Sequence, residues 1–122
     1  MDKDTLYKWQ RNMPVGWSKA FGTKICDEIW DVLVKYNVQE QYYVLQVKER
    51  YGELCWYYGG IGGSACDEVD DIIDKYEAIS ARTCVGCGKP ATKLSIGWIL
   101  PHCDRCARRL PRIRFMDIPS NY

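Results

Sequence analysis

No apolar run in the chain approaches the ~18 residues that a membrane-crossing helix needs. The opening Met1-Asp2-Lys3-Asp4 has neither the basic nor the apolar region of a secretory leader. The expectation is a cytoplasmic chain without a membrane span, in a compartment where thiols stay reduced. Histidine is nearly missing, His102 being the only one among 122 residues. A cysteine nucleophile would lack its usual base, which disfavours catalysis. No internal repeat of about 20–50 residues is present, so a solenoid is excluded. Disorder is excluded as well, because 47% of the residues are hydrophobic and only 27% are charged. What the chain has in excess is cysteine. Seven of them, an odd number, fit a complete disulfide set poorly and point to metal binding.

The net charge of +1 conceals an asymmetry. Residues 52–82 carry two basic and seven acidic side chains, whereas residues 83–122 carry seven basic and two acidic ones. Two surfaces of different preference are expected. Phe21, Ile25, Ile29, Leu33 and Tyr36, widened by Cys26 and Trp30, predict an amphipathic helix over 18–36. The segments 42–49 and 54–58, joined at Arg50-Tyr51-Gly52-Glu53, predict a β-hairpin. Trp56, Tyr57 and Tyr58 cannot all face inward on one strand, so an aromatic should remain exposed. The glycines of Gly59-Gly60-Ile61-Gly62-Gly63 make a connector; a phosphate cradle is the other reading, but no Lys-Ser/Thr follows. A second helix is predicted to start at Ser64, capped by its hydroxyl with Asp67 completing a capping box, and to bury Val69, Ile72, Ile73, Tyr76 and Ile79. It should end near Arg82.

Cys84-x2-Cys87 and Cys103-x2-Cys106, separated by 15 residues, have the spacing of a four-thiolate zinc site. Two residues between thiolates allow a tight knuckle to aim both sulfurs at one ion, and two knuckles complete a tetrahedron. Residues 92–99 can supply hairpin strands between the knuckles, giving a zinc ribbon. A closed set of four thiolates leaves no position for water or substrate, so the ion would be structural. Iron, a redox dithiol or disulfides are the other readings, and His102 is a substitute ligand or a neighbour of the site. Cys26, Cys55 and Cys66 read as small buried side chains. Cys66, in a helix's first turn, is the one candidate for a reactive thiol.

Arg105, Arg108, Arg109, Arg112 and Arg114 lie within ten residues, starting inside the ribbon. Guanidinium forks engage phosphates and stack on bases, so this stretch points to a nucleic acid or a nucleoprotein complex. The opposite reading is a soluble tail resting on its own acidic helix. Asp67, Asp70, Asp71 and Asp74 form an acidic helix face, which is either solvated or a mimic of nucleic-acid phosphates.

The order of motifs resembles an uncharacterised family of small bacterial and phage proteins. The resemblance spans residues 16–106 and rests on Gly16-Trp17, on Gln46-Val47-Lys48-Glu49-Arg50-Tyr51-Gly52-x-Leu54, on Glu77-x2-Ser80-x3-Cys84, on Gly97-Trp98 and on the two CxxC pairs. Where relatives read Leu-Arg-Phe-Tyr, this chain has Leu54-Cys55-Trp56-Tyr57. The resemblance implies a zinc ribbon and a bacterial or phage setting, and brings no activity. The expected fold is α+β: a core over 1–82 (helix, β-hairpin, acidic helix), a zinc ribbon over 83–107 and an arginine-rich tail over 108–122. The expected function is a non-enzymatic binding protein holding one structural zinc and engaging nucleic acid or nucleoprotein. The alternative is a phage-encoded inhibitor of a bacterial defence complex, acting like an anti-CRISPR through its acidic helix and aromatic surface. An enzyme working through Cys66 is the third reading.

Overall fold

In the computed structural model, which describes residues 1–119, Asp2 starts the first helix. Its carboxylate accepts the Thr5 amide at 2.8 Å and so satisfies one of the free donors of α1 (Lys3–Lys8). A 3₁₀ turn (Trp9–Asn12) leads to α2 (Val15–Trp17), a π-helical turn (Ser18–Gly22) and α3 (Thr23–Lys35). The stripe that predicts one helix over 18–36 is therefore right in place, but its first turn is wound more widely. Trp17, Phe21 and Ile25 are each four apart and all buried. That spacing drifts around an α-helix, and the π turn offsets the drift.

The hairpin consists of β1 (Tyr43–Arg50) and β2 (Glu53–Gly59). Tyr51 and Gly52, at φ +53° and +82°, form the turn, whose two left-handed residues match the twist of the strands. The register slips between Val44 and Gln46, leaving Leu45 unpaired. This bulge lets both Val44 and Val47 face the core, although strict alternation would set them on opposite sides. On β2, Leu54 and Trp56 point inward while Tyr57 is exposed, as alternation requires.

A two-stranded sheet is marginal alone. Here it is covered by α4 (Gly63–Ser80), which also packs on α3. Lys35 and Tyr36 reach Glu68, while Lys75 and Tyr76 reach Glu28, fastening the two helices along their length. Two details of α4 correct the sequence reading. The helix is capped at Gly62, with no side-chain hydrogen bond, so Ser64 and Asp67 form no capping box. A glycine can enter the first turn without a side chain to place, and the Gly62 carbonyl accepts the Cys66 amide. Ile79 is exposed, because the inward position at that end belongs to Ser80.

Ser80 is fully buried and its Oγ accepts the Leu54 amide at 2.8 Å while donating to the Glu77 carbonyl at 2.6 Å. It splices α4 to the start of β2. Ser80→Ala would strand the buried Leu54 N–H, an expected loss of about 1–3 kcal/mol. Chemical denaturation with an unchanged m-value checks this; an unaltered midpoint would contradict the splice.

The C-terminal region is a three-stranded antiparallel sheet in the order β4 (Pro101–His102), β3 (Lys93–Ser95), β5 (Phe115–Asp117), with the short helix α5 (Asp104–Arg108) between β4 and β5. Residues 115–117, expected in the tail, are thus its third strand, paired to β3 at Lys93↔Asp117, Leu94↔Met116 and Ser95↔Phe115. Residues 120–122 of the expected tail lie outside the described residues. The ribbon rests on α2. The Gly16 amide donates to Val85 O at 2.8 Å, and Trp17, fully buried, donates its indole N–H to Thr83 O at 2.8 Å. Fold and element types are therefore α+β as expected. No helix among the described residues is long and apolar enough to cross a membrane.

Candidate metal centre

Cys84, Cys87, Cys103 and Cys106 converge, their four Sγ atoms all within 4.8 Å of one another. The edge of a zinc–thiolate tetrahedron is ~3.8 Å for a bond of ~2.3 Å, and Cys87 Sγ lies 3.5 Å from Cys103 Sγ. The donor set fits a metal ion. Cys84 and Cys103 are buried and Cys87 and Cys106 half-buried, so each pair contributes one buried and one partly accessible cysteine.

Backbone hydrogen bonds build the first knuckle: the Cys84 amide donates to Lys89 O at 2.8 Å and the Gly88 amide to Cys84 O at 3.0 Å. Gly88 sits at φ +86°, a left-handed conformation that few other residues adopt. At Gly86 a Cβ would stand 3.2 Å from Cys106 Sγ, so the knuckle can close only over a glycine or by shifting. In the second knuckle Cys103 caps α5, its sulfur accepting the Cys106 amide at 3.4 Å.

The electrostatics favour a cation. Burial pushes the Cys84 thiol up, but hydrogen bonds from the backbone at Cys103, Cys87 and Gly86 outweigh it and bring it down to about 7. Cys106 is pushed up to about 12 by burial and by the neighbouring sulfurs of Cys103, Cys84 and Cys87. The fold stabilises the Cys84 thiolate, and the sulfurs around Cys106 oppose ionisation there. A bound cation removes that opposition, since thiolates rather than thiols are the ligands.

His102 lies outside the quartet. It is buried, its Nδ1 3.1 Å from Leu100 O and its ring edge-on to Phe115 at 5.1 Å, so it packs β4 under β5. Of the other cysteines, Cys26 is fully buried as expected, but Cys55 and Cys66 are only half-buried. Cys66 Sγ has the Tyr58 hydroxyl at 3.2 Å and an Asp70 carboxylate oxygen at 3.7 Å. Tyr58 also donates to Asp70 at 2.5 Å.

All five arginines are exposed: Arg105 and Arg108 on α5, Arg109 at its C-cap, Arg112 in the following turn and Arg114 just before β5. None forms an ion pair with a carboxylate of the described residues, so a tail folded onto the acidic helix is not what these residues form. Asp67, Asp70, Asp71 and Asp74 are exposed on α4.

The docking of Gly16 and Trp17 onto the first knuckle is not visible in spacing alone. A Cβ on Gly16 would lie 2.1 Å from Cys84 O and 2.7 Å from the Gly88 nitrogen. Glu49 likewise reaches across to Trp98, its Oε1 accepting the indole N–H at 3.1 Å. No family model, curated protein or solved structure matches the chain.

Proposed function

We propose that the chain is a non-enzymatic binding module of the bacterial cytoplasm. One structural zinc at Cys84, Cys87, Cys103 and Cys106 staples it, and Arg105, Arg108, Arg109, Arg112 and Arg114 engage a nucleic acid or nucleoprotein complex. The observation that carries this reading is the placement of five exposed arginines, without carboxylate partners among the described residues, on and beside helix α5, which is capped by Cys103 and contains Cys106. Guanidinium groups without carboxylate partners are free to take phosphates bidentately. Zinc is the metal that a closed tetrahedron of four thiolates suits best. The single histidine, buried against Phe115, supports a site without acid–base chemistry.

A second reading is a phage-encoded inhibitor of a bacterial defence complex. The observation favouring it is that Asp67, Asp70, Asp71 and Asp74 are all exposed along α4, an array able to occupy a basic groove.

One experiment separates the two. Replacing Arg108, Arg109 and Arg112 together with Ala is expected to weaken nucleic-acid binding for all sequences alike. The salt dependence should flatten by up to about one unit of slope per lost phosphate contact. Equilibrium binding at low and high salt measures both. Under the second reading these substitutions change little, and reversal of Asp70, Asp71 and Asp74 to Lys abolishes partner binding instead. Wild-type protein with no salt-sensitive nucleic-acid binding would overturn the first reading.

A further inference from the structure

Two loop tips distant in sequence meet at one edge of the molecule. The end of β1 contributes Lys48, Glu49 and Arg50, the β1–β2 turn Tyr51, and the β3–β4 turn Gly97, Trp98 and Ile99; together they line a cleft of about 360 Å³. Trp98 is 74% exposed and Tyr51 73%, an unusual outlay of large rings on a surface. Neither ring is loose. Glu49 accepts the Gly52 amide on Oε2 at 2.8 Å and the Trp98 indole N–H on Oε1 at 3.1 Å, tying the two tips together. The Arg50 guanidinium sits 5.4 Å from the centre of the Tyr51 ring. Tyr51 itself holds φ +53°, a conformation that bulky side chains rarely adopt and that the tight turn imposes.

The cleft carries two cations, Lys48 and Arg50, against the single carboxylate of Glu49. Glu49 is held by the Gly52 and Trp98 N–H groups, whereas Lys48 and Arg50 pair with no carboxylate of the described residues. The backbone beside the cleft is tied to the arginine-rich stretch: the Ile96 amide, one residue from Gly97, donates to Arg114 O at 2.8 Å. Aromatic faces beside cations are the means by which proteins hold unpaired bases and their phosphates.

We propose that this cleft binds an unpaired base of a single-stranded nucleic acid, its ring stacked on Trp98 and Tyr51 and its phosphate held by Lys48 and Arg50. The inference rests on the nucleic-acid reading and narrows it, because a base inside a duplex offers no free face to these rings. Glu49 is a positioning residue: it sets the two tips and touches no ligand.

The test uses the full, metal-loaded chain labelled with nitrogen-15. Trp98→Phe, which removes one indole N–H resonance, identifies the Trp98 signal. A uridine dinucleotide, too short to span the arginines, is titrated into wild type and into the Arg108, Arg109 and Arg112 triple variant. The Trp98 signal should shift saturably in both. Trp98→Ala, with circular dichroism confirming the fold, should then weaken binding of an oligouridine about tenfold and leave binding of a duplex unchanged. A Trp98 signal indifferent to the dinucleotide would overturn the cleft inference even if longer strands bind. Equal loss for strand and duplex, or an equal shift caused by a tyrosine-containing peptide, would overturn it too. Failure of the arginine reading looks different: the triple variant would bind oligouridine and duplex like wild type while the Trp98 shift persists.

Discussion

Replacing Cys87 by Ser is expected to empty the metal centre and unfold the segment from Thr83 to the end of β5. A ribbon of three strands, two or three residues each, buries too little to stand alone. Leu94 and Pro101 are its main apolar contribution to burial, and the remainder of its interior is Cys84, Cys103 and the polar Thr83, Ser95 and His102. Structural zinc in such modules contributes about 10–16 kcal/mol of apparent binding free energy, and that energy is folding energy. A serine hydroxyl is too weak a ligand to retain it. The helical core should survive, since Leu6, Ile25, Ile29, Leu33, Val69 and Trp56 pack without the ribbon. Far-ultraviolet circular dichroism should therefore keep most of its helical signal, while amide resonances of residues 83–117 collapse to random-coil positions. Intact ribbon resonances in Cys87→Ser would show that the quartet is not what holds this region.

Gly16→Ala should be among the most damaging single methyl groups in the chain, and the one that bears directly on the metal centre. Its Cβ would stand 2.1 Å from Cys84 O and 2.7 Å from both the Gly88 nitrogen and the Val85 carbonyl carbon. These are backbone atoms of the first knuckle and cannot swing aside. Relief requires lifting α2 off the ribbon, which breaks the Gly16–Val85 and Trp17–Thr83 hydrogen bonds. An expected cost of about 3 kcal/mol combines this overpacking with the lost bonds. Gly22→Ala supplies the control. There the new Cβ would meet the Gln10 side chain at 2.6 Å, a flexible end that can move away, and a helical alanine is favoured over glycine by about 1 kcal/mol. Thermal melts should thus separate the two variants by several degrees or more. Equal melting temperatures would mean that α2 and the knuckle are not in the contact described.

Local chemistry makes much of this molecule legible in its sequence. Tyr51-Gly52 announces its turn, because a glycine after a strand of β-branched and aromatic residues has few other uses. The two CxxC pairs announce their centre, because four thiols at that spacing suit a single metal ion. What stayed hidden depends on elements meeting in space. Periodicity ranks Ile79 as buried, yet Ser80 takes the inward place because the Leu54 amide needs an acceptor there. A cap residue at Ser64 is sound chemistry, but the glycine connector lets the helix begin two residues earlier than a side-chain cap would. The helix α1 was open to discovery through Asp2 and Thr5, a cap pattern at the very start of the chain. The bulge at Leu45 has no local mark, and strand β5 follows an arginine-rich stretch whose composition says little about pairing. The site shows the same division. Its ligands lie open in the sequence, while the contact that seats it on the core, Gly16 against Cys84, pairs residues distant along the chain.

The central claim, that four thiolates gather one zinc ion and thereby fold the C-terminal ribbon, is most directly tested by metal content. Protein purified without added metal should carry one zinc per chain by elemental analysis and by intact mass under native conditions. Stripping the metal with a chelator should abolish the dispersed resonances of residues 83–117, and stoichiometric zinc should restore them. Protein that contains no metal, takes up none on reconstitution and yet keeps a folded ribbon would contradict the account.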